Sequence, residues 1–232
     1  MIAERVAAVR ERIARAAARA HRRPDEITLV AVSKTHPPQA IREAFAAGVR
    51  DFGENKVQEA EGKIPALEDL RAGGLRWHMV GHLQGNKGRR AAELFDTVDS
   101  VDDLTLAARL QRGAEHAQKH LPVLVQVDLG KEDTKFGLDE QYLFPMLEQL
   151  RGYEAVRVEG LMVLPPFAPD PEQARPFFRR LRELLAEARG QGLVRGGELS
   201  MGMSHDFEVA IEEGATQVRV GTALFGARER GG

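Results

Sequence analysis

Residues 121–127 read LPVLVQV, seven positions with one polar side chain, Gln126. A strand with one face in water alternates apolar and polar residues. This run does not, and its pattern is that of a strand covered on both faces, as in a parallel sheet. Outward from it, similar apolar, often β-branched runs lie at 27–33, 49–52, 76–80, 95–98, 156–163, 197–200 and 216–220. Between them, 38–47, 55–70, 87–93, 101–118, 139–150, 171–190 and 205–213 carry helical patterning, and Ile2, Val6, Val9, Ile13 and Ala17 place an amphipathic helix over about 2–20. Pro37 and Pro38 suit a first helical turn, Asp170 and Ser204 are candidate caps, and Gly48, Gly152 and Gly214 fall where helices should stop.

Eight strands alternating with helices predict a parallel sheet clothed in helices. A doubly wound open sheet and a closed barrel both satisfy that pattern. The count of eight and the length of 232 residues favour a single (β/α)8 TIM barrel with an extra N-terminal helix. No internal repeat, low-complexity tract or long linker divides the chain, so residues 1–232 are read as one domain.

Composition excludes several classes. With 43% hydrophobic and 29% charged residues the chain is not a disordered one. Thirty-three basic residues against 35 acidic ones, a formal charge of -2, argue against a nucleic-acid binder. Cysteine is absent, which removes disulfides, thiolate catalysis and cysteine-ligated zinc, and suits a cytoplasmic location. No apolar run approaches membrane-spanning length, and the charges scattered through the first 23 residues do not make a secretory signal.

In either architecture the chemistry belongs at the C-terminal ends of the strands. AVSKTH at 31–36 ends one of the runs with Lys34, the one lysine of seven that directly does so. If Lys34 points inward, strand parity sends Val30 and Val32 inward as well. An apolar surrounding would lower the pKa of this lysine. Each unit below about 10.4 corresponds to about 1.4 kcal/mol and enlarges the neutral fraction that attacks aldehydes. The bland alternative is a lysine in a salt bridge at the barrel rim.

The last two strand ends supply context. LSMGMSHDF at 199–207 and VRVGTALFG at 218–226 both turn through glycine and hydroxyl residues, at the two positions where barrels often bind phosphate. Ordinary turn chemistry is the competing reading. Arg219, between Val218 and Val220, faces away from those valines and must meet an acceptor, either a barrel carboxylate or a ligand atom. Lys34, the turns and Arg219 together describe a site for a phosphorylated aldehyde.

These residues resemble the pyridoxal phosphate homeostasis protein family, small relatives of the barrel domain of alanine racemases. The resemblance runs from about Thr28 to Arg228 and is carried by AVSKTH (31–36), FGENKVQE (52–59), WHMVGHLQGNK (77–87), DTKFG (133–137), GLMVLPP (160–166), SMGMSHDFEVAIEEGAT (200–216) and VRVGTALFGAR (218–228). It departs at Lys56, where a tyrosine is common, and at His205, where an acidic residue is common. The resemblance implies an internal aldimine between Lys34 and pyridoxal 5′-phosphate. It further implies a phosphate pocket of Ser200, Gly202, Ser204, Gly221 and Thr222, Arg219 near the pyridine nitrogen, and Asn55 near the ring or its hydroxyl. An arginine keeps its proton, so a ring nitrogen beside it stays unprotonated and is a weak electron sink.

That suits a non-catalytic holder of the cofactor, serving vitamin B6 homeostasis in the cytoplasm and delivering to apo-enzymes. The alternative is an amino-acid racemase on the same aldimine. It needs a second acid/base, which in the relatives is a tyrosine of a further domain. This chain stops six residues after Gly226, and its two tyrosines, Tyr142 and Tyr153, lie away from the expected strand ends. A Schiff-base aldolase acting on sugar phosphates is a third reading. His78 and His82 are read as hydrogen-bonding residues at the barrel mouth, since no third partner completes a metal site. Trp77 is read as core, the arginine-rich helix at 175–189 as a solvated outer helix, and Asp133, Lys135 and Phe136 as a polar loop over the site. With the first helix covering the barrel bottom, a monomer is favoured.

Overall fold

The computed structural model describes residues 1–131 and 136–226. LPVLVQV begins a strand, β5 (Leu121–Asp128), and its neighbours complete a closed parallel barrel. The barrel strands are β1 (Thr28–Val32), β2 (Asp51–Glu54), β3 (Arg76–Met79), β4 (Thr97–Val101), β5, β7 (Val156–Val163), β8 (Glu198–Ser200) and β9 (Gln217–Val220). β1 pairs with β2 on one edge and with β9 on the other, and pairing of β4 with β5 closes the ring. A two-residue strand, β6 (Leu138–Asp139), adds to the end of β5.

Helices α2 (Pro38–Ala46), α3 (Val57–Ala66), α4 (Gly88–Leu94), α5 (Leu104–His116), α6 (Leu143–Leu150), α7 (Arg175–Gly190) and α8 (Phe207–Glu212) surround it, and a short α9 (Thr222–Phe225) follows β9. The outer core lies between the two layers: Ala31, Phe52, Trp77, Val98, Val123, Val125, Leu161, Val218 and Val220 from the strands meet the helices' apolar faces. On α7 that face is Phe178, Leu181, Leu184, Leu185 and Ala188. Each fully buried side chain of this kind contributes about 1.5–3 kcal/mol.

Three local expectations differ from the structure. The first helix, α1 (Ile2–Arg19), does not cover the barrel bottom but packs beside α2, α8 and α9, where the short α9 leaves the helical ring open. Arg12 and Arg19 fasten it to Glu208 and Glu212 at 2.8 and 2.6 Å, and Val6, Val9 and Ile13 are buried beneath it. Ser204 does not cap α8. Asp206 stands at that position, its carboxylate accepting from Met203 N–H at 2.6 Å, while Ser204 Oγ accepts from Ala223 N–H.

The barrel interior is the third. Val30 and Val32 do face inward, as strand parity requires, but much of the filling is polar. His78 is buried inside the barrel and not at its mouth, with Nε2 2.9 Å from Asp51 Oδ1 and Nδ1 3.3 Å from Asp99 Oδ2. Thr97 Oγ1 donates to Asp99 at 2.8 Å, and Arg76 closes on Asp51 at 2.7 Å. Burial alone would discharge the imidazole. The two carboxylates overcome it and raise the His78 pKa to about 9.

Candidate functional site

At the C-terminal ends of the strands a cavity of about 1100 Å³ opens. Lys34, Asn55, Ser204, Arg219, Gly221 and Thr222 all line it. Ser200 and Gly202 do not. Ser200 is fully buried and accepts Arg219 Nη1 at 2.6 Å through its hydroxyl. Gly202, at φ +93°, lets the turn after β8 press against α8, where a Cβ would lie 2.8 Å from Phe207 Cα. Its carbonyl accepts the Arg219 N–H at 2.9 Å, tying the turn to β9.

Arg219 forms part of the floor. It is 4% exposed, and beside Ser200 it donates to Val163 O at 2.8 Å. Burial lowers its pKa to about 10, with Asp99 and Asp206 pulling the other way. It therefore stays charged at neutral pH.

Lys34 is half-buried and follows β1 at a backbone held from both sides. Ser33 Oγ donates to Glu54 Oε1 at 2.6 Å, and Lys63 Nζ donates to Ser33 O and Glu54 Oε1, each at 2.8 Å. Thr35 N–H donates to Glu59 Oε2 at 2.8 Å from a strained φ of +65°. Ser33 and Thr35, the two residues flanking Lys34, are thus both fixed by side chains of β2 and α3. Sequence reading missed this group. Its signal was present, for Glu59 and Lys63 are i, i+4 on one helix, and Glu54 in a strand had to find a cation. The inward charges Asp51 and Asp99 were missed for the same reason.

The rest of the cavity is formed by the loops after β2 and β3. Gly81 passes so close to Asn55 that a Cβ there would sit 2.3 Å from the Asn55 carbonyl. His82 lines the mouth, stacks on Phe136 with ring centres 3.5 Å apart and lies 3.6 Å from Asp102. His205 Nε2–H donates to the carbonyls of Ala168 and Pro169, and Lys56 stands on the wall. Asp133, Lys135 and Arg228 lie outside the described residues. Neither Tyr142 nor Tyr153 lines the cavity, and among the described residues no three side chains group as metal ligands. Nor is any helix among them long and apolar enough to cross a membrane.

A (β/α)8 barrel with a lysine just past its first strand, glycine and hydroxyl turns after its last two strands, and a charged arginine on the last strand thus brings an amine, hydroxyls and a guanidinium to one cavity. The chain belongs to the alanine racemase N-terminal domain family, which residues 5–229 match, and within it to the pyridoxal phosphate homeostasis proteins. It is 46% identical to the pyridoxal phosphate homeostasis protein of Pseudomonas aeruginosa, over 99% of this chain and 97% of that one. To the protein of the same name from Aquifex aeolicus it is 44% identical, over 97% and 98%. The structure of PipY from Synechococcus elongatus PCC7942 with PLP bound superposes with a TM-score of 0.86 at 43% identity, covering 97% of this chain and all of that one. The Pseudomonas and Aquifex relatives are named for homeostasis and not for a reaction.

Proposed function

We propose that this protein binds pyridoxal 5′-phosphate as a Lys34 Schiff base and holds it without turning it over, as a cytoplasmic, single-domain reservoir that supplies apo-enzymes. The observation that carries the reading is the convergence, in one cavity, of Lys34 with Ser204, Gly221, Thr222 and Arg219. The cofactor bound in the PipY structure and the names of the relatives support it.

The residues present suit such a group. Ser204 and Thr222 offer hydroxyls and Gly221 a backbone without a side chain, a donor set that matches a phosphate. Ser200 and Gly202 would act one step behind it, the first by orienting Arg219 and the second by shaping the turn. Asn55, beside the lysine wall, would meet the ring or its hydroxyl. The cofactor supplies an aldehyde carbon that amines capture; Lys34 supplies the resident amine. Arg219 keeps its proton and has only donors to offer, so it would leave a ring nitrogen unprotonated and the electron sink weak. Racemisation would require a second acid/base over the lysine, and both tyrosines lie off the cavity.

The test is an absorption spectrum of the purified protein with added pyridoxal phosphate, followed by borohydride reduction and peptide mapping. A visible band and a label on Lys34 are expected, with neither in Lys34→Ala. The variant should stay folded, its stability changing by no more than about 1 kcal/mol, because Lys34 is only half-buried. A label on another lysine, or none, overturns the assignment. Amino-acid racemisation by the loaded protein at enzyme-like rates would overturn the holding role.

A further inference from the structure

The cavity has a second polar end. Its volume of about 1100 Å³ exceeds the ~300–1,000 Å³ typical of small-molecule pockets. β1, which Lys34 follows by two residues, has β9 on one side and β2, then β3, on the other. Ser204, Gly221 and Thr222 therefore approach from one side of Lys34, and Lys56, Gln58, Gln84 and Lys87, on the segments that follow β2 and β3, from the opposite side.

Among the described residues the charge of this wall has one sign. No aspartate or glutamate is among the described residues lining the cavity, whereas Lys34, Lys56, Lys87 and Arg219 all are. Described acids on the adjoining elements are engaged elsewhere: Glu59 with Thr35 and Lys63, Glu54 with Ser33 and Lys63, Asp102 with His82. Among the described residues no carboxylate forms an ion pair with Lys56 or Lys87, although Lys56 helps to hold the Glu59 carboxyl below its ordinary range. Cations gathered in a concave, partly apolar site focus a field that attracts anions.

We propose that the β2–β3 side of the cavity, centred on Lys56 and Lys87, is a second anion subsite that takes the carboxylate of a small amino acid whose amine faces Lys34. The lysines give point charge and Gln58 and Gln84 amide donors, which suit a carboxylate in several orientations. The anion part stands on the cavity alone. The amine part rests on the proposed function, because a held aldehyde is what an amine would approach. The far end being occupied by a phosphate leaves this end for the ligand's own acid group.

The experiment uses the full chain and the double variant Lys56→Gln/Lys87→Gln, whose retained fold is checked by its melting temperature, Lys56 being exposed and Lys87 half-buried. In the cofactor-free protein, succinate and its uncharged diamide are titrated by calorimetry. Succinate should bind at least tenfold more tightly than the diamide, and the double variant should lose that preference. In the protein loaded with pyridoxal phosphate, glycine and methylamine are titrated against the visible band. The double variant should raise the half-saturation for glycine at least tenfold and leave that for methylamine, and the affinity for the cofactor, within twofold. Equal binding of succinate and diamide overturns the subsite, as does a loss of cofactor affinity in the variant, which would give the lysines to the cofactor. Inorganic phosphate displacing succinate at lower concentration overturns the carboxylate class. Failure of the wild-type protein to load at all refutes the proposed function, while the succinate arm still judges the subsite.

Discussion

Lys63 gives the sharpest quantitative test. Its ammonium group sits 2.8 Å from Glu54 Oε1, 2.8 Å from Ser33 O and 3.3 Å from Glu59 Oε2. The Glu54 side chain is 0% exposed, and its Oε2 has no hydrogen-bond partner. Burial raises the Glu54 pKa even though Lys63 and Ser33 both pull it down. Removing one partner of such a pair leaves a buried charge uncompensated, at a cost of about 3–5 kcal/mol. For a domain of this size each 1 kcal/mol moves Tm by about 2–4 °C, so Lys63→Ala should melt roughly 6–20 °C lower. Replacing both, as Lys63→Met with Glu54→Leu, removes the stranded charge and should recover most of the loss.

The sign of the pH dependence follows from Glu54. Its folded pKa lies above its ordinary 4.5, so the native state holds the proton more tightly and stability falls as pH rises from 4.5 through the folded value. Without Lys63 that value climbs further. The deficit of Lys63→Ala should therefore be smallest near pH 4.5 and grow toward neutrality, measured by urea denaturation across that range. A deficit below about 1 kcal/mol at pH 7, a double variant no more stable than the single one, or a deficit that grows on acidification would each refute the reasoning. The double variant has a further use. It keeps the barrel while releasing Ser33, so weakened aldehyde capture by Lys34 in a stable protein would isolate positioning from stability.

Three more outcomes are expected. His78, raised from 6.5 to about 9 by Asp51 and Asp99, contributes about 3 kcal/mol that is fully present below pH 6.5 and lost as pH rises through about 9. Denaturation at pH 7 and 10 checks this, and an imidazole titrating near 6.5 by NMR would contradict it. Arg219→Ala should weaken cofactor retention or shift its spectrum, and it also strips Ser200 Oγ and Val163 O of a donor. Unchanged affinity and spectrum would show Arg219 to be structural. Gly81→Ala places a Cβ 2.3 Å from Asn55 O, a backbone atom that cannot swing aside, so the loops after β2 and β3 must part. A loss of about 1–3 kcal/mol and of cofactor binding should follow, and wild-type behaviour in both assays would mean that the two loops yield freely.

The barrel was legible because parallel strands covered on both faces carry unbroken apolar runs, and LPVLVQV at 121–127 returns as the first seven residues of β5. Lys34, Arg219 and the turns at Ser204 and Gly221 were legible because in this architecture function gathers at strand ends, which leaves few positions to inspect. Ser204 does not mark the start of α8 because Asp206, two residues on, is a cap type as good, and propensity hardly separates the two. The location of α1 was not legible either. Its apolar stripe specifies that it is covered, and only the shortness of α9, which no periodicity announces, opens the place beside α2 and α8. Lys63 was counted among seven lysines but not singled out, for its role depends on which strand end α3 crosses.

The polar barrel interior connects these pieces. From the N-terminal end of the strands toward the mouth, Arg76, Asp51, His78 and Asp99 alternate in charge, and Asp99 then supports the charge on Arg219 against the cost of burial. An apolar filling would have been the cheaper core, because each buried ion must recover its desolvation from its partners. What the alternation secures is a guanidinium that stays protonated at the cavity floor, with a pKa of about 10, although burial disfavours its charge. Neutralising Asp99 as Asp99→Asn takes away that support and one of the two carboxylates that hold the His78 proton. The imidazole should then titrate well below 9, and the Arg219 pKa should fall further below 10. Lowered His78 and Arg219 values, followed together by NMR in one variant, would demonstrate that the floor charge is maintained from within the barrel. A lowered His78 value with Arg219 unmoved would show that Asp206 and the bonds to Ser200 and Val163 suffice.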